Sequence, residues 1–437
     1  YLDALKGEMK PIYNYMNDLP GMDGQPTPYL PESMVRRYGG SVACFDAGRG
    51  CPFQCSFCTI INVQGRKSRF READDVERLV RANIKQGICR FFITDDNFAR
   101  NKNWEAIFDR LGDLREETGL PFSIIIQVDT LCHKIENFIP KAKRAGVARV
   151  FIGLENINPD NLMAAKKRQN RITEYRAMLQ EWRNHQILTY AGYILGFPAD
   201  TPEKIVHDIE VIKKELPIDI LEFFCLTPLP GSEDHKNLYL KGVPMDPDMN
   251  IYDLEHVCTG HPLMSKEEWQ DIYNKAWELY YSEEHLETLM RRMVVSGNKP
   301  ERIWAHALQF AGCIRYEKVH PLQGGYFRRK VRTQRRSGRP LESPLVFYPR
   351  RLWEMVTTYG PFAWFALRLW LKCQQIKRDP ATQSYSDLAL TPVTDHGEDE
   401  ELEMFAHTEA AQAAVAKAHK ETEAREKHAK QAVDAAE

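Results

Sequence analysis

From Ser41 to Thr227 short apolar runs alternate with helical patterns, and this alternation constrains the fold more than any other feature of the chain. Strands separated each time by a helix-length connection pair in parallel, so the pattern predicts repeated βα units. Strand candidates are Ser41–Phe45, Cys89–Thr94, Phe122–Gln127, Arg149–Leu154, Thr189–Leu195 and Ile218–Leu226. In the first connection Val76, Leu79, Val80 and Ile84 fall on one helical face, and in the second Trp104, Ile107, Phe108 and Leu111 do the same. The fifth opens with Thr201-Pro202, a capping hydroxyl followed by proline at the first helical position. Six such units suit a partial barrel of the α/β class. No G-x-G-x-x-G follows the first strand, so a dinucleotide-binding sheet has no support.

The flanking segments differ in character. Residues 1–40 are rich in Pro, Gly, Asp and Asn, including Pro26, Pro28 and Pro31, and read as a linker into the barrel at 41–240. Pro228, Pro230 and Gly231 end the last strand, and 241–325 is expected to be a helical domain, with amphipathic patterns over 264–318. A third segment, 326–378, joins a basic run at 326–339 to a Trp-rich pattern in which Pro361 is expected to start a helix. Phe362, Trp364, Phe365, Leu367, Leu369, Trp370 and Leu371 cover most of that helix, and Arg368, Lys372 and Gln375 form a narrow polar stripe. Residues 379–437 turn polar, then acidic from Glu398, and end in an Ala/Glu/Lys-rich tail with little to bury, expected to be poorly ordered.

Composition narrows the partners. A net charge of -2 over 437 residues argues against a whole surface built for nucleic acid or anionic lipid, so any such contact is local. Ten cysteines are too few for a disulfide scaffold of this length, which favours a reducing cytoplasm. No run reaches the ~18 consecutive apolar residues that a membrane-spanning helix requires. The basic and Trp-rich segment 326–377 nevertheless has the content of a membrane-surface contact, which would place the protein peripherally on the inner face. Packing of the same helix against the catalytic domain or a second subunit is the competing reading.

Directly after the first strand, Gly50-Cys51-Pro-Phe-Gln-Cys55-Ser-Phe-Cys58 places three thiolates on one loop. Three soft ligands so spaced can hold three irons of a cubane cluster and leave a fourth iron open to substrate. The competing reading is a structural zinc site within an interaction module. Such a site needs a fourth ligand and normally pairs its cysteines. Cysteines 44, 89, 132, 225, 258, 313 and 373 do not repeat a close spacing.

With Phe57 just before its third cysteine, this C-x3-C-x2-C loop resembles that of the radical S-adenosylmethionine (SAM) superfamily. The resemblance implies a [4Fe-4S] cluster on Cys51, Cys55 and Cys58, chelation of SAM by the open iron, and cleavage of SAM to a 5′-deoxyadenosyl radical. Thr94-Asp95-Asp96-Asn97 ends the second strand, where the family usually has Gly-Gly-Glu holding the SAM amino group. A carboxylate of Asp95 or Asp96 suits an ammonium ion, and either could equally cap the next helix. Gly153-Leu-Glu155 resembles the family's Gly-x-Glu at the fourth strand end, where barrels collect catalytic groups. Gly192-Tyr-Ile194-Leu-Gly196 resembles the Gly-x-Ile-x-Gly strand that lies against adenine, and Gln127 is added by its position at a strand end.

Cys58-Thr-Ile-Ile-Asn-Val-Gln-Gly65-Arg-Lys-Ser68-Arg69 and Thr227-Pro-Leu-Pro-Gly231 are similar to the cobalamin-binding radical SAM class. In that class a cobalamin domain precedes a Pro-rich linker like residues 1–40. Because the chain starts at Tyr1 and lacks an Asp-x-His-x-x-Gly loop, the cobalamin domain is expected upstream, unless the linker survives without it. The resemblance implies an external electron donor such as flavodoxin or ferredoxin, a small-molecule or lipid-like substrate, and methylation or rearrangement as the reaction. A methylthiotransferase is the alternative within the superfamily, although that class ends in an RNA-binding β-barrel where this chain reads as helix.

Overall fold

The structure is a computed structural model that describes residues 1–26, 30–38, 42–323, 328–393 and 402–434. Pro28 of the linker, Ser41 as first residue of a strand, residues 326 and 327 of the basic run and residues 398–401 of the acidic stretch lie outside the described residues.

The expected α/β sheet is present. Its strands are β1 (Val42–Phe45), β2 (Arg90–Ile93), β3 (Ser123–Val128), β4 (Val147–Glu155), β5 (Leu188–Leu195) and β6 (Ile220–Cys225), and strand order in the six-stranded sheet is chain order. Parallel register puts Phe45 beside Ile93, Phe92 beside Ile125 and Leu195 beside Cys225. Helices α1 (Ala73–Lys85), α2 (Trp104–Thr118), α3 (Phe138–Ala145), α4 (Tyr175–Asn184) and α5 (Pro202–Glu215) fill the connections. Val76, Leu79 and Val80 are buried on α1, and Ile107, Phe108 and Leu111 on α2, as one apolar stripe per helix requires. Thr201 caps α5 by accepting the Lys204 N–H, with Pro202 in the first turn.

The chain divides into two compact units. The first comprises 1–153, 163–170 and 228–245, and the second 154–162, 171–227 and 246–437. In the second unit α6 (Lys266–Tyr280), α7 (Glu283–Val295) and α8 (Glu301–Gly312) form the helical region. A capping box of Ser265 and Glu268 starts α6, which buries Trp269, Ile272, Tyr273 and Trp277. Arg183 on α4 pairs with Asp219, both buried, and the buried Arg292 on α7 pairs with the half-buried Asp387.

A single helix, α9 (Pro344–Arg378), replaces the one expected to begin at Pro361. Proline inside a helix removes a hydrogen bond and costs about 3 kcal/mol. Here Pro349 and Pro361 are both exposed, so water can take the freed carbonyls, while burial of Phe347, Phe362, Phe365 and Leu369 carries the helix through. Farther on, residues 403–406 and 409–434 are helical, and Leu402, Met404, Phe405 and Ala411 are buried. The Glu215 carboxylate holds this segment by accepting the N–H groups of Glu403 and Met404.

Candidate active site

In the first unit the chain leaves β1, makes a two-residue antiparallel ribbon (Gly48–Arg49 with Arg69–Phe70), and carries the three cysteines between those arms. Gly50 adopts φ +95, and a side chain there would collide with the Lys67 carbonyl, so only glycine turns the chain into Cys51. The Cys51 N–H donates to the Gly65 carbonyl at 3.2 Å, and the Cys58 N–H donates to the Cys55 carbonyl at 3.1 Å. Between them Ser56 is held on both sides, donating its N–H to Ala165 at 3.0 Å and accepting from Asp234 N–H at 3.0 Å.

All ten cysteines are free of disulfides, and Cys51, Cys55 and Cys58 are half-buried. Burial pushes the Cys51 thiol up and the Cys58 thiol up to about 11. The Phe53 and Ile60 N–H groups pull Cys51 and Cys58 back down, as does Lys167, while Cys55 adds to the rise of both. Cys51 and Cys58, partly withdrawn from water, favour a thiolate state only when a cationic centre joins them. The donor set therefore fits a polynuclear iron site. Gln169 donates through Nε2 to Cys55 Sγ at 3.4 Å, and Lys167 Nζ stands 5.7 Å over the Phe57 ring.

Asp95 is buried at the end of β2. Its Oδ1 accepts the N–H groups of Ala47 and Gly48 at 2.7 and 2.6 Å, and its Oδ2 accepts Asn101 Nδ2 at 2.8 Å. Burial pushes this carboxyl up to about 7 against the pull of those three donors. Asp96 accepts the Gly50 N–H at 2.8 Å, and burial raises it too. The two aspartates thus grip the turn from Ala47 to Gly50 that delivers the cysteine loop. Gln127 supports them by donating to the Asp95 carbonyl at 3.1 Å.

The second unit holds the remaining candidates. Glu155 ends β4 with φ +65, a left-handed conformation rare for a residue with a side chain, and is half-buried. Gly192 and Ile194 lie in β5, which is buried along its whole length. Gly196 follows with φ +104, and its missing side chain leaves room for the Trp269 indole, whose Nε1 donates to the Leu195 carbonyl at 3.1 Å. Packing against Trp269 by itself requires glycine at this position. The N–H groups of Gly196 and Phe197 donate to Asp200 Oδ2 at 2.8 and 2.9 Å, while Asn161 Nδ2 donates to Asp200 Oδ1 at 2.6 Å. Burial pushes Asp200 up to about 7.

The structure thus gathers Cys51, Cys55, Cys58, Phe57, Asp95, Asp96 and Gln127 in one unit, and Glu155, Gly192, Ile194 and Gly196 in the other. Sequence reading missed Lys167, Gln169, Asp200 and Asn161. The run Lys166-Lys-Arg-Gln-Asn170 reads as a solvated face, yet Lys167, Gln169 and Asn170 are buried. Asp200, just before the cap of α5, carried a local turn signal. Asn161 carried none.

Residues 47–212 match the sequence profile of the radical SAM superfamily. The chain carries a radical SAM domain. Among curated relatives of this domain-bearing chain is bacteriochlorophyllide d C-12(1)-methyltransferase of Chlorobaculum tepidum, 29% identical over 244 residues, 53% of this chain and 50% of that protein. Another is the hopanoid C-2 methylase of Rhodopseudomonas palustris, 27% identical over 191 residues, 41% of this chain and 35% of the other. A solved structure, the radical SAM methyltransferase TsrM of Kitasatospora setae with cobalamin and a [4Fe-4S] cluster bound, is 17% identical. It covers 56% of this chain and 52% of that one with a TM-score of 0.48. The radical SAM chain described here spans about half the length, or less, of the curated relatives it matches.

Proposed function

We propose that the protein is a radical SAM methyltransferase of the cobalamin-dependent kind, with Cys51, Cys55 and Cys58 each ligating one iron of a [4Fe-4S] cluster. The observation that carries this reading is the set of three half-buried free thiols on one loop within the matched domain. When bound, cluster and SAM supply the one-electron chemistry that starts the reaction.

The chain's own residues have distinct tasks in this reading. Asp96 is the first unit's carboxylate for the SAM ammonium; in the second unit Glu155 is the carboxylate assigned to SAM, and Gly192, Ile194 and Gly196, on and just after β5, are assigned to its adenine. Asp95, with both oxygens already engaged, positions the loop instead. Lys167 and Gln169 supply positive charge and a donor beside the thiolates, which moderates the negative charge of a thiolate-ligated cluster. The names of the two curated relatives describe methylation of a chlorophyll-type pigment and of a hopanoid, so the substrate here is taken as a small, largely apolar or lipid-like molecule. The reading includes residues 1–40 as a linker from a cobalamin domain, an electron donor of the flavodoxin or ferredoxin class, and work in the cytoplasm at the inner face of a membrane.

Anaerobic reconstitution tests it. Replacing Cys51, Cys55 and Cys58 together by Ala should abolish the broad visible absorption, the bound iron and SAM cleavage, whereas Cys89→Ala, Cys132→Ala or Cys225→Ala should keep the cluster. A triple variant that still held about four irons would overturn the assignment. Glu155→Gln, which removes one charge-assisted hydrogen bond, should weaken SAM binding by roughly ten- to a hundredfold with the cluster intact. Unchanged SAM affinity would leave Glu155 a structural role alone.

A further inference from the structure

The second unit presents a surface that the cluster chemistry does not use. Helix α9 has 35 residues, about 50 Å of length, and its two flanks behave differently. Its inner flank buries Phe347, Phe362, Phe365 and Leu369, and the Trp304 indole donates to the Ala366 carbonyl at 2.9 Å. Arg368, Lys372 and Lys377 pair with Glu283, Glu287 and Glu301, so the cations of its C-terminal half are spent on the protein itself.

The outer flank is an apolar row. Positions 345, 352, 356, 363, 367 and 371 recur four or seven apart, hold Leu, Val or Ala, and are all exposed. Leu345 is 86% exposed, and beside the row Trp353 and Trp364 are 69% and 61% exposed. Isolated exposed apolar residues mean little, but a continuous row of this length marks a contact surface. Among the described residues, no helix is long and apolar enough to cross a membrane, which fits a helix that lies along a surface.

Charge identifies the partner. Residues 328–351 carry nine Arg and Lys against one carboxylate, Glu342. Arg329, Lys330, Arg335, Arg336, Arg339 and Arg350 line a cavity of ≈ 520 Å³ next to Phe347. Glu342 takes Arg335 and Arg350, and Glu354 takes Lys330 and Arg351. Among the described residues Arg329, Arg336 and Arg339 have no carboxylate partner. A second copy seated parallel on this flank would bring the same cations face to face, whereas a bilayer of anionic lipid offers acyl chains to the row and phosphates to the arginines.

We propose that α9 docks the protein flat on an anionic membrane, with the row from Leu345 to Leu371 in the acyl boundary and the arginines Arg329, Arg336 and Arg339 on lipid phosphates. This deepens the functional reading, on which it rests for the idea of a lipid-like substrate, by naming the surface that brings enzyme and substrate together.

Co-flotation of reconstituted protein with vesicles tests the docking, and cluster absorbance and SAM cleavage in the same samples report separately on the catalytic reading. Wild type should float with phosphatidylglycerol-containing vesicles at low salt, and less at high salt or with pure phosphatidylcholine. Trp353→Glu/Trp364→Glu should stay in solution with unchanged circular dichroism and cluster absorbance. Arg329→Gln/Arg336→Gln/Arg339→Gln should weaken binding to the anionic vesicles about a hundredfold and hardly alter binding to neutral ones. A wild type that does not float overturns the proposal, as does flotation untouched by both sets of changes. A dimer by light scattering that the Trp changes dissolve, without flotation, would assign the flank to a second copy.

Discussion

Asp95 and Asp200 stand just beyond strand ends in different compact units. Each gives one carboxylate oxygen to two consecutive backbone N–H groups and the other to an asparagine side chain, and burial pushes each up to about 7. Their reach differs. Asp95 binds Ala47 and Gly48 across separations of 48 and 47 residues, so it joins the end of β2 to the start of the cysteine loop. Asp200 takes its backbone donors from Gly196 and Phe197, four and three residues away, and stiffens its own turn, with only the Asn161 amide reaching it from 39 residues away. A long-range clamp fixes one element relative to another, whereas a local one can relax into water when it fails.

Asp95→Ala should therefore have the largest effect. It leaves two buried backbone donors and the Asn101 amide without an acceptor, and a loss of about 3–5 kcal/mol follows from the cost of each. Because those donors begin the cysteine loop, iron bound after reconstitution should fall together with the denaturation midpoint. Destabilisation with full iron content would break the link between this clamp and the cluster.

Gly196→Ala comes next. The added methyl would fall inside the Trp269 ring on a backbone at φ +104, and overpacking with left-handed strain costs about 2–4 kcal/mol. Trp269→Leu in the same chain opens the space and should recover part of the loss. If it recovers nothing, backbone strain rather than the indole governs Gly196. Asp200→Ala should cost about 1–3 kcal/mol, less than Asp95→Ala, and leave iron binding intact. Equal loss of iron in both Asp variants would mean that the two clamps act on one structure, and the contrast between local and long-range would fall.

The same distinction separates what was legible in the sequence from what was not. Strand positions came from apolar runs, and Arg90–Ile93 lies inside the expected Cys89–Thr94. The cap at Thr201 and the proline after it were local signals and were seen. The cysteine triplet, with its aromatic neighbour, was legible because all its donors sit on one loop. Lys167 and Gln169 were not, since only the folded chain brings them to residues more than a hundred positions earlier. Gly196 is legible as a glycine after a strand, but the Trp269 indole packed against it is separated by an entire helical connection. The extent of α9 was misread because Pro361 ends helices by local rule, and packing of Phe362 and Phe365 overrides that rule.

The smallest effect is a pH slope, and it tests whether Asp200 is as perturbed as its burial implies. The ordinary aspartate value is 3.8 and the folded value about 7, so between them the folded chain retains a proton that the unfolded chain has released. A raised carboxyl therefore makes stability fall as pH climbs through that window, and the contribution is level above it. Asp200→Asn cannot titrate. Its amide oxygen can take both backbone donors, and its NH2 can donate to Asn161 Oδ1, which otherwise has no partner, provided the Asn161 amide turns over. Melting curves from about pH 4.5 to pH 8 should then converge, with the variant below wild type at the acid end and level with it or above at the alkaline end. A constant offset across the range would mean that the Gly196, Phe197 and Asn161 donors hold Asp200 at its ordinary value despite burial. Applied to Asp95→Asn, the same measurement shows whether the long-range clamp is held in the same protonation state as the local one.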